Sequence, residues 1–89
     1  MAFYVYMLKS QSSGFKKTYV GYTNNVKRRL IKHNSNKGAK STKGYKWTLI
    51  YKRYFKTKSE AMSYEYRLKN DKKKRKHLVN YENFNIITI

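Results

Sequence analysis

Apolar positions fall in short bursts along this chain, and the spacing within each burst predicts an element. Phe3-Tyr4-Val5-Tyr6-Met7-Leu8 is rich in β-formers and reads as a buried strand. Residues 10–14, Ser-Gln-Ser-Ser-Gly, read as a turn, and residues 17–22 as a second strand, so the chain opens as a hairpin. Thr23-Asn24-Asn25 offers side chains that accept hydrogen bonds from the first free amides of a helix. That helix is predicted over about 26–34, with Val26, Leu30 and His33 on one face and Arg29 beside them. Residues 35–46 hold Gly38 and Gly44 among lysines and serines, which predicts a basic loop with room for one helical turn. Residues 47–55 form the third predicted strand. Thr57-Lys58-Ser59-Glu60 fits a capping box, so a second helix should start near Ser59 and reach about Asn70. Ala61, Tyr64, Glu65 and Leu68 then share a face. The charge run 71–76 opens a third, short helix through Asn80. Residues 84–89 are apolar, and that tail reads as an edge strand, a segment docked on the core, or a homodimer contact. The order β-β-α-β-α plus a C-terminal helix describes an α+β fold, a small three-stranded antiparallel sheet flanked by helices.

Eighty-nine residues suit one domain, taken here as 1–80 with a tail at 81–89. So small a domain buries a modest core, and its ten Tyr, four Phe and one Trp must carry much of it. Charge changes the picture more. Twenty-two Lys and Arg stand against four acids, a formal net charge of +18. Repulsion on that scale destabilises the compact state unless a polyanion is near. Nucleic acid is the first candidate partner and an anionic membrane the second. The absence of a long basic amphipathic helix argues against the membrane. No cysteine is present, which removes disulfides, zinc knuckles and thiol chemistry. The N-terminus lacks the pattern of a signal peptide, and the run from Phe3 to Leu8 is too short to span a bilayer. The expectation is an intracellular protein, cytoplasmic or nuclear.

With only four acids, each can be weighed. Glu60 has a capping role, Asp71 sits in a lysine run, and Glu82 lies in a polar stretch. Glu65 falls on the apolar face of its helix between Ala61 and Leu68. A carboxylate there must be paired or must coordinate something, because burying it bare is costly. A structural salt bridge and a metal ligand both fit. Arg29 borders the buried face of the first helix, where a guanidinium can stabilise charge on a phosphate or merely steer one. His33 projects from the same side four residues on, either as a hydrogen-bonded packing residue or as a proton acceptor. Tyr6 and Tyr19 sit on the hairpin strands, where tyrosine usually serves the core. A phenol titrates near pH ~10 and acts as a base only when a cation lies close.

Taken together, these residues resemble the GIY-YIG nuclease family. Val5-Tyr6, then Tyr19-Val20-Gly21, then Asn25, Arg29 and His33 on a helix, then Glu65 on a later helix follow its order and spacing over roughly residues 3–80. Lys32-His33-Asn34, Lys37-Gly38-Ala39-Lys40 and Glu65-Tyr66-Arg67-Leu68-Lys69 look like the branch of short stand-alone bacterial proteins and the nuclease domain of Slx1. The resemblance implies a metal-dependent endonuclease acting on DNA. It implies that Tyr6 and Tyr19 are the motif tyrosines, Arg29 the catalytic arginine, Glu65 the ligand of one Mg²⁺ (or Mn²⁺), and His33 the histidine one turn after the arginine. Two positions depart from the pattern: Tyr4 replaces the glycine of the first motif, and Tyr22 follows the second motif where some members carry lysine. The cysteine-rich zinc module of Slx1 nucleases is absent. Lys37, Lys40, Lys43 and Lys46 in the loop, with Lys72, Lys73 and Lys74, are expected to grip phosphates. Rival readings are a non-catalytic DNA- or RNA-binding module on the same fold and a ribosome-associated protein.

Overall fold

Both faces of the first strand are buried, and the whole architecture follows from that. The computed structural model describes residues 2–10 and 17–81, with side chains at all of these positions except 41, 80 and 81. The predicted turn beyond Ser10, Glu82 and the apolar tail 84–89 lie outside the described residues. The described elements are β1 (Phe3–Ser10), β2 (Thr18–Thr23), α1 (Val26–Asn34), a short 3₁₀ turn (Lys40–Thr42), β3 (Trp47–Phe55), α2 (Lys58–Lys69) and α3 (Lys72–Tyr81). The sheet is antiparallel throughout, in the order β2-β1-β3.

As the central strand, β1 alternates its side chains between two layers. Val5 and Met7 meet Val20, Ile50, Ala61, Tyr64 and Leu68 on the α2 side. Tyr6 and Leu8 meet Val26, Trp47 and Leu49 on the α1 side. This two-sided burial explains why β1 reads as a continuous apolar run with no polar alternation. An irregularity in register between Met7 and Leu8 sets Met7 against Tyr51 and Leu8 against Leu49. The extra residue, Ile50, lets β3 send both Ile50 and Tyr51 to the α2 side.

Local chemistry fixes the helix boundaries. Asn25 caps α1, its side chain accepting from the Arg28 amide at 3.0 Å. Thr57 caps α2 by accepting from the Glu60 amide, and its hydroxyl donates to the Glu60 carboxylate at 2.9 Å. The helix therefore starts at Lys58, one residue ahead of the expected Ser59. Asp71 starts α3 by accepting from the Lys74 amide. Asn34 ties the end of α1 to β3 through a reciprocal pair: the Trp47 amide donates to its Oδ1 at 2.6 Å, and its Nδ2 donates to the Trp47 carbonyl at 3.2 Å. That tie sets the span of the loop 35–46 over the α1 layer.

Leu68 is fully enclosed between α2 and the sheet, whereas Met62 on the same helix is about half exposed. Leu68→Ala should lower unfolding free energy by about 2–5 kcal/mol, and Met62→Ala by much less. Equilibrium urea denaturation checks this, and similar losses for the two variants would contradict the assigned core.

Candidate active site

The sheet is only three strands wide, so residues from its two sides meet at an edge. At the β2 edge, Tyr19 comes from the α1 side and Tyr22, with Phe3 behind it, from the α2 side. Arg29 reaches this edge from α1, and Glu65 and Lys58 from α2. With Thr23 and Asn24, these residues line an open cleft of about 470 Å³. The two anomalous charged residues of the sequence, placed on helices that cover opposite faces, thus share one cleft.

The Glu65 carboxylate is 17% exposed and lies 3.2 Å from the Lys69 ammonium one turn on. Half-exposed pairs of this kind contribute little, so Lys69 does not commit the carboxylate. Arg29 is less free. Its guanidinium leans on the Tyr6 hydroxyl, which raises the arginine pKa further, and its Nε is buried with no acceptor. The arginine as a whole lines the cleft, where its fixed positive charge suits an oxyanion.

Beneath the cleft floor lies a chain of buried polar groups. The Tyr6 hydroxyl lies 2.9 Å from His33 Nε2, and His33 Nδ1 lies 3.0 Å from Thr42 Oγ1. The Thr42 hydroxyl donates its own proton to the Ala39 carbonyl at 2.7 Å. Its oxygen can therefore only accept from the ring, so Nδ1 carries the imidazole proton, Nε2 is bare, and Tyr6 donates to it. Tyr6, His33 and Thr42 are all essentially inaccessible to solvent. Burial pushes the Tyr6 phenol well above its ordinary pKa, against the pull of Arg29. Burial, with Arg29 nearby, lowers His33 to about 4. Both groups are neutral across the physiological range.

Two glycines make room for this chain. A Cβ at Gly21 would stand 2.7 Å from the Tyr6 hydroxyl oxygen and 3.0 Å from the Tyr19 ring. A Cβ at Gly38 would collide with the His33 ring at Nδ1. The glycine of the Tyr19-Val20-Gly21 motif is thus a seat for the phenol of the opposite strand, its register partner being Tyr6.

Of the five residues expected to be catalytic, Tyr19, Arg29 and Glu65 line the cleft, while Tyr6 and His33 form its support. Tyr19 stacks on His33 with ring centroids 4.8 Å apart, which couples the two layers. Lys58, Thr23 and Asn24 join the cleft without having been singled out in the sequence, and Thr42 hid in a polar loop. Only the three-dimensional approach of α2's first turn to β2 reveals Lys58. Lys37, Lys40, Lys43 and Lys46, like Lys72, Lys73 and Lys74, are exposed and outside the cleft. Lys27, Arg28 and Lys32 surround the 60%-exposed Ile31 on the outer face of α1, lining a second groove of about 590 Å³. No cluster of three or more metal-binding side chains occurs among the described residues.

Because His33 is held neutral in the folded chain below the ordinary imidazole value of about 6.5, the unfolded chain binds the extra proton. The stability this contributes is complete above pH ~6.5 and falls as pH drops towards 4. His33→Gln should flatten that part of the stability–pH curve. An unchanged curve between pH 4 and 6.5 would show that His33 is not the group responsible.

Comparison with known proteins gives the family. The catalytic-domain profile of the GIY-YIG family matches residues 2–80. A relative in Bacillus pumilus, named UPF0213 protein, is 45% identical over 76 residues, covering 84% of this chain and 74% of its own. The Staphylococcus haemolyticus UPF0213 protein SH2523 is 42% identical and covers 82% and 87%. The solution NMR structure of UPF0213 protein BH0048 from Bacillus halodurans superposes with a TM-score of 0.50 at 38% identity, covering 92% of this chain and 86% of that one. A profile match over nearly the whole chain, with relatives above 40% identity, settles the family: this chain belongs to the GIY-YIG nuclease family.

Proposed function

We propose that the protein is a metal-dependent endonuclease that hydrolyses DNA phosphodiester bonds, in the stand-alone bacterial branch of its family. The observation that carries this reading is the convergence of Arg29 and Glu65, from helices on opposite faces of the sheet, into one cleft with Tyr19 at its rim. The similar length of the bacterial relatives supports the branch.

Glu65 is the one carboxylate among the described residues that line the cleft. It would hold a single Mg²⁺ or Mn²⁺, which when bound would supply charge neutralisation at the phosphate and the departing oxygen. Arg29 brings a fixed positive charge to the cleft, where it stabilises the charge gained by the phosphoryl group. Tyr19 reaches the cleft with its ring edge held by His33, and it takes the proton from the attacking water. Tyr6 and His33 serve this step as positioning residues: their buried hydrogen bond fixes the ring on which Tyr19 rests. Lys58 adds a second cation to the cleft for a neighbouring phosphate oxygen.

Substrate approach has its own electrostatic support. The first turn of α1 carries Lys27, Arg28 and Arg29 and no acid. Cations there oppose the helix dipole at about 0.3–1 kcal/mol each, a penalty an incoming phosphate removes. The exposed lysines of the loop, Lys37, Lys40, Lys43 and Lys46, extend the same positive surface.

The alternative is a non-catalytic nucleic-acid-binding module on this fold. Supercoiled plasmid incubated with and without Mg²⁺ separates the two. The parent should nick it only with metal, and Glu65→Gln and Arg29→Ala should each lower the rate by about 10²–10³-fold. Equal rates for parent and variants would sink the nuclease assignment.

Substitution identifies the proton acceptor. With Tyr19 as base, Tyr19→Phe should lower kcat/KM by about 10²–10⁴-fold. A Tyr19→Phe protein that cuts as fast as the parent would rule out this phenol as the acceptor.

A further inference from the structure

Away from the cleft, on the other flank of α2, three cations crowd one tyrosine. Arg53 Cζ lies 4.9 Å from the Tyr64 ring centroid, Lys74 Nζ 5.4 Å and Arg67 Cζ 5.7 Å. They come from three different elements: β3, α3 and α2. Alternation on β3 puts Tyr51 and Arg53 on the same side of the sheet, opposite Met7 and Val5, so both face α2. The Tyr51 and Tyr64 hydroxyls are 2.8 Å apart. Tyr64, Arg67, Leu68, Asp71 and Lys74 line a small cleft of about 160 Å³ there.

Cation–π attraction alone accounts poorly for this cluster. One ring face accommodates one cation well, and three like charges drawn to one ring repel each other. The nearby carboxylate, Asp71, is engaged as the cap of α3 through the Lys74 amide, and it leaves an excess of two positive charges. None of the three cations forms an ion pair among the described residues; the pair described is Glu65–Lys69. The tyrosines report the local potential. Burial alone would raise the Tyr64 phenol, yet hydrogen bonds from Tyr51, Lys74 and Arg53 bring it below its ordinary value. Tyr51 is pushed up to about 12, chiefly by burial, and its hydroxyl shares a hydrogen bond with that of Tyr64. The spot favours negative charge.

We propose that Arg53, Arg67 and Lys74, gathered around the Tyr51–Tyr64 hydroxyl pair, form a second phosphate-binding site, which takes a backbone phosphate of the nucleic-acid substrate other than the one being cut. Its chemistry is that of an oxyanion site: the Arg67 guanidinium, the Lys74 ammonium and Tyr64 line a cleft of anion size beside Asp71, and the Arg53 guanidinium meets the same Tyr64 ring from β3. Its place follows from α2. Tyr64 and Glu65 are consecutive, so they diverge by about 100° around the helix. Glu65 faces the cleft at the β2 edge, and Tyr64 faces β3 at the opposite edge of the sheet. One substrate strand crossing α2 is thereby held on both flanks, which fixes the scissile phosphate between two anchors. The inference rests on the nucleic-acid reading of the cleft and deepens it.

The test measures binding of a DNA duplex in the absence of divalent metal across a salt series. Neutralising one phosphate contributes about one unit to the slope of log K against log salt. The combined Arg53→Gln, Arg67→Gln, Lys74→Gln protein should lose about that unit, and each single variant part of it. Lys52→Gln, on the opposite side of β3 beside Tyr6 in register, removes a charge outside the cluster and should leave the slope nearly as in the parent. Inorganic phosphate titrated into the parent should shift the Arg53 and Tyr64 side-chain NMR signals, and the Tyr64 shift should vanish in the combined variant. Thermal unfolding confirms that each variant is folded, and the single variants give the reading if the combined one is not. A parent that binds and cuts DNA, with variants whose slopes match it, overturns this site and leaves the nuclease reading standing. A parent whose DNA affinity ignores salt overturns both.

Discussion

A three-stranded sheet measures only about 10 Å from its first strand to its last, and this width is the constraint on which the molecule depends. A wider sheet would keep the helices of its two faces apart. Here β1 fills the middle and is buried on both sides, while β2 is an edge that either helix can overreach. Arg29 and Glu65 start from opposite layers and end in one cleft because only a single strand separates those layers at that edge. A shift of one residue in β1–β2 pairing would exchange the faces of Tyr19 and Val20 and empty the cleft of its phenol. The register is held against such a slip by Gly21, the only kind of residue that lets the Tyr6 hydroxyl lie across β2.

The support beneath the cleft is unusual in being polar and buried at once. Such a network stabilises only when every member is satisfied. Tyr6 donates to His33, His33 to Thr42, and Thr42 to the Ala39 carbonyl, so each proton has one destination. The Thr42 carbonyl also accepts from the Trp47 indole at 3.0 Å, which fastens the loop to β3. The loop 35–46 therefore does more than carry lysines. Its inner side fixes the imidazole tautomer, and the tautomer fixes which way the phenol points.

How much of this the sequence disclosed follows from the range of each interaction. Every described strand and α-helix was legible to within two residues, because caps such as Asn25 and Thr57 and apolar spacing act over three or four positions. Arg29 and Glu65 were legible as anomalies, charged residues beside apolar stripes. Gly38 and Thr42 were not, since what makes them matter is a histidine brought near by the loop's fold. Lys58 was invisible for the same reason: the first turn of a helix is an ordinary place for a polar residue until β2 is seen beside it. Tyr64 read as plain core, and it is buried. That its ring gathers cations from β3 and α3 depends on contacts with residues 10 and 11 positions away in the chain.

Charge then decides what kind of protein this fold can be. With +18 on 89 residues, the described ion pair Glu65–Lys69 neutralises almost nothing, and the cations stay available. They are not spread evenly. Lys27, Arg28 and Arg29 crowd the positive end of α1, and Arg53, Arg67 and Lys74 crowd one ring. Each grouping raises the free energy of the isolated fold, and a phosphate bound at either of the proposed sites would relieve it. Stability and substrate binding are therefore linked in one direction: a polyanion that binds the folded arrangement stabilises it by mass action. A core this small leaves a narrow margin against that repulsion. The aromatic packing around β1 has to hold the cations in place until the polyanion arrives, which is a physical reason for so much tyrosine in so basic a chain.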